Sequence, residues 1–151
     1  MTKEMSTKNA KATEQLAEKI GRHLRGGEVI ELISDLGGGK TTFTRGLGRA
    51  IGSPDRVASP TFTISKVYEG QKLAIHHFDF YRLDDAGLMA HELHDVVGDP
   101  KIVIVIEWGD VVAHVLPADR FTVHLMQTGD ESRRLTLDYP ESLAYLMEDV
   151  A

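Results

Sequence analysis

The 151-residue sequence contains no cysteine. That absence removes disulfides, thiolate metal sites and cysteine nucleophiles together. Long apolar runs are missing as well. The longest, Ile102 to Ile106, is far short of the ~20 residues that a membrane-spanning helix needs. Met1 to Gln15 is polar and has no apolar h-region, so no secretory signal is expected and the expected compartment is the cytoplasm. Positive charge is in deficit, with 17 Lys and Arg against 23 Asp and Glu, a formal net charge of −6. A chain of that sign is repelled by a phosphate backbone. DNA is therefore not an expected ligand, and tRNA is expected only indirectly, through a partner.

What is present describes a soluble α/β protein. Apolar residues make up 42% and charged residues 26% of the chain, an ordinary globular balance. The length favours one domain over residues 1–151, and no repeat or low-complexity tract divides it. Leu16, Ile20 and Leu24 recur at spacing four, which predicts an amphipathic helix over 9–25 stopped by Gly26-Gly27. Glu28 to Ile33 reads as a short strand, and 40–51 as a helix with Phe43, Leu47 and Ile51 on one face. Residues 61–68 and 73–80 alternate as a hairpin around Glu69-Gly70. Helix or helical turns follow over 84–97. Lys101 to Ile106 is apolar after its first residue, as a strand buried on both faces should be. Phe121 to Leu125 and Leu135 to Tyr139 predict a second hairpin, and Pro140 opens a closing helix with Leu143, Leu146, Met147 and Val150 inward. This mixture predicts a three-layer α/β fold, a mixed parallel/antiparallel sheet flanked by helices.

The chemistry concentrates in Ser34-Asp-Leu-Gly-Gly-Gly-Lys-Thr-Thr-Phe43, placed between a strand and a helix. Gly37, Gly38 and Gly39 leave backbone N–H groups unobstructed, so they can converge on phosphate. Lys40 is placed to reach terminal phosphates, and the Thr41 hydroxyl to bind Mg²⁺. The following helix aims its N-terminal dipole at the same anion. Ser34 stands where the usual pattern begins with glycine, and costs backbone strain there if its φ is positive. A second element is Glu107, which emerges from the apolar strand and can hold Mg²⁺ or orient water. Trp108, the single tryptophan, is either core or a wall of that site.

Other polar clusters carry less. His91-Glu92-Leu93-His94 is one residue short of a His-Glu-x-x-His zinc motif. His76 and His77 are adjacent on a strand and so face opposite sides, one of them packed in the sheet. Arg45 and Arg49 share a helix face, as a solvated stripe or a partner to acidic groups.

Four strings, "DLGGGKTTFTRGLGRAIG", "SPTFT", "HFDFYRL" and "VIEWGD", occur in the order and spacing of the TsaE (YjeE) family, which this chain resembles over residues 28–110. The resemblance implies a P-loop NTPase-like fold, ATP/ADP and Mg²⁺ as ligands, and the TsaB–TsaD heterodimer as partner. It implies that ATP is hydrolysed to reset the machinery of tRNA threonylcarbamoyladenosine (t6A37) synthesis, not to supply the transferred group. By the same resemblance Gly37 to Thr42 form the nucleotide loop, Thr41 and Glu107 hold the metal, and Trp108 lies at the site. Lys40, Asp79 and Glu107 are then the catalytic set, and Ser59 to Thr63 the first switch segment. The family's loop is expected as G-D-L-G-A-G-K-T, so Ser34 and Gly38 are departures. No N-K-x-D signature supports guanine. Ser6 to Thr13 and Gly129 to Arg133 are the possible adenine or ribose neighbours. Two alternatives remain at this point. One is a small P-loop metabolite or nucleoside kinase, for which Arg133-Arg134 would have to serve as the lid. The other is a nucleotide-dependent interaction protein with little catalysis.

Overall fold

A computed structural model describes residues 1–35, 39–58, 65–81 and 87–150. The elements run β1 (Thr2–Thr7), α1 (Ala10–Gly21), β2 (Val29–Ile33), α2 (Lys40–Ala50), β3 (Ser65–Glu69), β4 (Ala74–Asp79), α3 (Leu88–Val96) and β5 (Ile102–Glu107). A 3₁₀ segment (Gly109–Val115), β6 (Phe121–Gln127), β7 (Arg133–Asp138) and a closing 3₁₀ segment (Glu141–Met147) complete the chain. The strands form one seven-stranded sheet in the order β1-β7-β6-β2-β5-β4-β3. Strands β6, β2, β5 and β4 are parallel, and β3, β7 and β1 join antiparallel at the flanks.

Strand periodicity divides the core between the two faces of the sheet. Val103 and Val105 of β5, with Ile30 and Leu32 of β2, pack in one cluster with α1, α2 and the closing 3₁₀ segment. Ile104 and Ile106, with Val29 and Phe78, pack in another with Leu93 of α3 and Val112. Each of these buried apolar side chains contributes roughly 1.5–3 kcal/mol relative to exposure. The three-layer mixed α/β arrangement expected from the sequence is the one observed.

Helix α1 starts where the Asn9 side chain accepts the Ala12 N–H at 2.8 Å, a side-chain cap of the helix's open donors. It lies directly against α2, because a Cβ at Gly46 would collide with the Glu14 carbonyl. Arg49 pairs with Glu14 and Glu18 of α1, so its acidic partners are in the same chain.

Three elements differ from expectation. Thr2 to Thr7, part of the polar N-terminal stretch, is the edge strand β1. Its sequence TKEMST holds a single apolar residue, so no alternation marks it. Pairing with β7 and an N-terminal amine bond to the Tyr139 carbonyl at 2.7 Å put it there. The segment Gly109–Val115 is a 3₁₀ helix where the sequence predicts no element, and the closing helix is 3₁₀. Its Leu143, Leu146, Met147 and Val150 are buried as expected. No helix among the described residues is long and apolar enough to cross a membrane.

Candidate functional site

The site lies at the C-terminal ends of the parallel strands, where β2 delivers the chain to α2. Gly37 and Gly38 lie outside the described residues. Gly39 caps α2 with φ of 104° and no side-chain cap, a backbone state that favours glycine. The N–H groups of the first turn are thus left open toward an anion. Thr41 and Thr42, both half-buried, stand in that turn.

Lys40 is 7% exposed, and its ammonium sits among three groups. The Ser34 carbonyl accepts from it at 3.3 Å, Glu107 Oε1 lies 3.6 Å away, and the Trp108 ring centroid is 4.5 Å off. Ser34 does not have a positive φ, since Trp108 is the sole such non-glycine residue among those described. The condition for backbone strain at Ser34 is therefore not met. Its hydroxyl donates to the Asp35 carbonyl at 2.8 Å.

Glu107 and Asp79 end β5 and β4 in direct register. Both belong to the odd-numbered set of their strands that faces α2, along with Val105 and Ile75. Glu107 is 3% exposed, and its second oxygen is hydrogen-bonded to His77 Nε2 at 2.5 Å. Asp79 is half-buried and accepts the Tyr81 N–H at 2.9 Å. Burial pushes its carboxyl above the usual carboxylate range. The Tyr81 N–H opposes this, Glu107 adds to it, and Lys40 and His77 pull it back only in part. Trp108, at φ 56°, turns its ring against Tyr81 at 5.0 Å between centroids. Its buried indole N–H has no partner among the described residues. Backbone held in the left-handed region costs on the order of 1–3 kcal/mol and persists at sites that use it.

Strand parity also brings in two side chains that the sequence reading did not place. His77 is fully buried, and its Nδ1 meets the Tyr68 hydroxyl at 3.1 Å. That hydroxyl donates to the Ala58 carbonyl at 2.8 Å. Burial raises the Tyr68 phenol above its ordinary pKa, with Ala58 opposing and Glu107 reinforcing, which keeps it a donor. The expectation that one histidine of the pair packs in the sheet holds for His77; what needed strand register was the identity of its partners.

Segments read separately in the sequence also meet. Ala10 and Thr13 of α1, Gly39 and Thr42 at the start of α2, Asp130 of the β6–β7 turn and Arg133 at the start of β7 line one cleft. Ala10 with Thr13, and Asp130 with Arg133, belong to the two stretches named as possible adenine or ribose neighbours. Arg133 donates to the Ser132 carbonyl at 2.8 Å, and Arg134 pairs with Glu4 at 3.3 Å. His91 and His94 line one cleft with His114, yet no three metal-ligating side chains cluster among the described residues. The switch candidates Ser59 to Thr63 lie outside the described residues.

The donors suit a nucleotide with Mg²⁺. Oxygen ligands from one hydroxyl and one carboxylate, completed by phosphate and water, are what that hard cation takes. The open helix N-terminus and the buried ammonium match phosphate.

Comparison with known proteins shows the family. The sequence model of the family described as "Threonylcarbamoyl adenosine biosynthesis protein TsaE" matches residues 7–135. The tRNA threonylcarbamoyladenosine biosynthesis protein TsaE of Bacillus subtilis is 34% identical, over 86% of this chain and 81% of its own. The TsaE protein of Treponema pallidum is 36% identical, over 87% and 96%, and that of Streptomyces coelicolor 37% identical, over 82% and 87%. The crystal structure of Bacillus subtilis YdiB superposes with a TM-score of 0.80 at 29% identity, covering 99% of this chain and 93% of that one. The fold is that of the P-loop NTPase-like α/β proteins, and the chain belongs to the TsaE family.

Proposed function

We propose that this protein binds ATP with Mg²⁺ at Gly37 to Thr42 and hydrolyses it slowly in support of tRNA threonylcarbamoyladenosine formation, resetting a TsaB–TsaD complex between turnovers. The observation that carries the reading is the convergence of Lys40 and Glu107 at the open N-terminus of α2, 3.6 Å apart and both buried. In this reading the Lys40 ammonium leaves the Ser34 carbonyl for the terminal phosphates, where a charge-assisted contact is worth more. Thr41 and Glu107 would hold Mg²⁺, which would neutralise charge developing on the phosphate oxygens. Glu107, with Asp79 beside it, orients the attacking water. The cleft between α1 and the β6–β7 turn takes the base and ribose.

The partner requirement has its own support. The guanidinium of Arg133 donates to carbonyls of its own turn, and that of Arg134 pairs with Glu4. An arginine aimed at the γ-phosphate is worth several orders of magnitude in rate, so a partner that supplies or orders one would set the turnover. The kinase alternative draws no support from a lid whose arginines are engaged in this way.

Phosphate release should be measured for the chain alone, with metabolite and nucleoside acceptors, and with TsaB–TsaD. Slow release alone and acceleration by the pair are expected. Fast release indifferent to TsaB–TsaD would overturn the partner-dependent reading, and phosphate appearing on an acceptor would establish the kinase.

A further inference from the structure

His77 is buried in the middle of the α2 face of the sheet, where nothing in the fold calls for a polar ring. An imidazole removed from water costs free energy unless its nitrogens are bonded, and both of these are. The contacts run along a diagonal of three neighbouring strands. On one side β3 pairs with β4 so that Tyr68 stands opposite Ile75. On the other, β5 pairs with β4 so that Val105 stands opposite His77. Tyr68 and Glu107 are each displaced by two residues from the partner of His77, on the same face. Diagonal same-face neighbours lie within reach of ring side chains. The ring therefore spans from the Tyr68 hydroxyl to the Glu107 carboxylate.

The two oxygens of Glu107 are held differently. Oε1 faces Lys40 at 3.6 Å, a group that the phosphates of a nucleotide would draw away. Oε2 accepts from His77 at 2.5 Å, the only hydrogen bond to that carboxylate among the described residues. An ionised carboxylate can only accept, so the ring nitrogen is the donor. The Tyr68 hydroxyl gives its one proton to the Ala58 carbonyl at 2.8 Å, so toward the ring its oxygen accepts from Nδ1–H at 3.1 Å and braces it from behind.

We propose that His77 is a positioning residue for hydrolysis: braced by Tyr68 against Ala58, it holds the Glu107 carboxylate in its working orientation when Lys40 turns to phosphate. A side chain that orients a ligating or water-positioning carboxylate acts as an outer partner of a metal site does, typically worth ~10–100-fold. The effect belongs in kcat, because orientation matters where water attacks, whereas loop amides and Lys40 supply the ground-state affinity.

The inference rests on the ATPase reading, and its test separates the two. His77→Asn places its amide near the former Nδ1 and withdraws the donor from Glu107, whereas His77→Gln extends a donor toward the former Nε2. In the presence of TsaB–TsaD, His77→Asn should lower kcat ~10–100-fold with KM changed less than about threefold. His77→Gln should recover most of that loss. On a Glu107→Gln background His77→Asn should cost little more, because residues acting through one group are not additive. Nucleotide affinity, read from Trp108 fluorescence, should stay within about threefold in both variants. Equal losses in His77→Asn and His77→Gln, or a full additional loss on Glu107→Gln, would overturn the proposal.

A nucleotide-free measurement stands beside these. In ¹⁵N-histidine-labelled protein the His77 Nε2–H signal should lie far downfield and move upfield in Glu107→Ala. A signal indifferent to Glu107 would overturn the positioning contact. A wild-type chain that binds no ATP would instead overturn the ATPase reading, leaving this arm to decide the contact itself.

Discussion

Asp79 and Glu107 occupy the last positions of two adjacent parallel strands in direct register, so two carboxyl groups share the C-terminal end of the sheet beside Lys40. Their surroundings differ. Glu107 is held from both sides, by Lys40 and by His77. Asp79 is half-buried, capped by the Tyr81 N–H, and holds its proton more tightly than an ordinary carboxyl. Paired acids in unequal environments divide their work.

Glu107→Ala should keep much of the affinity for MgATP and lose most of the hydrolysis, on the order of a hundredfold or more in kcat. Asp79→Ala should have the same character and a smaller effect. Single-turnover phosphate release beside an equilibrium nucleotide titration checks both. Native hydrolysis by Glu107→Ala with TsaB–TsaD present would reduce Glu107 to a buried strand end.

Lys40→Ala should fold, since alanine is favoured in helices and Glu107 retains its bond to His77. Nucleotide affinity should fall more than tenfold, about 1.4 kcal/mol. Circular dichroism confirms the fold while the titration reads the loss. A folded variant with native affinity would remove Lys40 from the phosphate site.

The raised Asp79 carboxyl gives stability a pH signature. A carboxyl with a folded pKa above its unfolded value binds its proton better in the folded state. Its ionisation therefore penalises folding, with no effect below the ordinary carboxylate range and a growing one as pH climbs through the raised folded value. Asp79→Asn removes the penalty. The variant should outlast wild type in urea at about pH 7, with the advantage shrinking toward about pH 4. An advantage that widens on acidification would contradict the assigned shift.

Ser34→Gly should leave nucleotide affinity within about threefold of wild type. The backbone there is not left-handed, so glycine relieves nothing. The contact with Lys40 comes from the Ser34 carbonyl, which glycine keeps. A loss beyond tenfold would reveal direct participation of the Ser34 hydroxyl.

The fold class, the strand–loop–helix order at Gly37 to Thr42, and the candidacy of Lys40 and Glu107 are legible in the sequence. Each is a local property: apolar alternation in β5, spacing four in α1, and glycines followed by Lys-Thr before a helix are all visible within about ten residues. The four motifs in register carried the family, and through it Asp79. The tertiary structure places Asp79 beside Glu107, because register between β4 and β5 is set by packing across a long connection. It alone made an edge strand of Thr2 to Thr7, whose polar residues carry no period of their own, and showed Ser34 free of left-handed strain. It also joined the start of α1 to the β6–β7 turn around Gly39. His77 illustrates the division most directly. Strand parity in the sequence separates it from His76, but its bonds to Glu107 and Tyr68 cross to neighbouring strands. Contacts of that kind exist only once the sheet has formed.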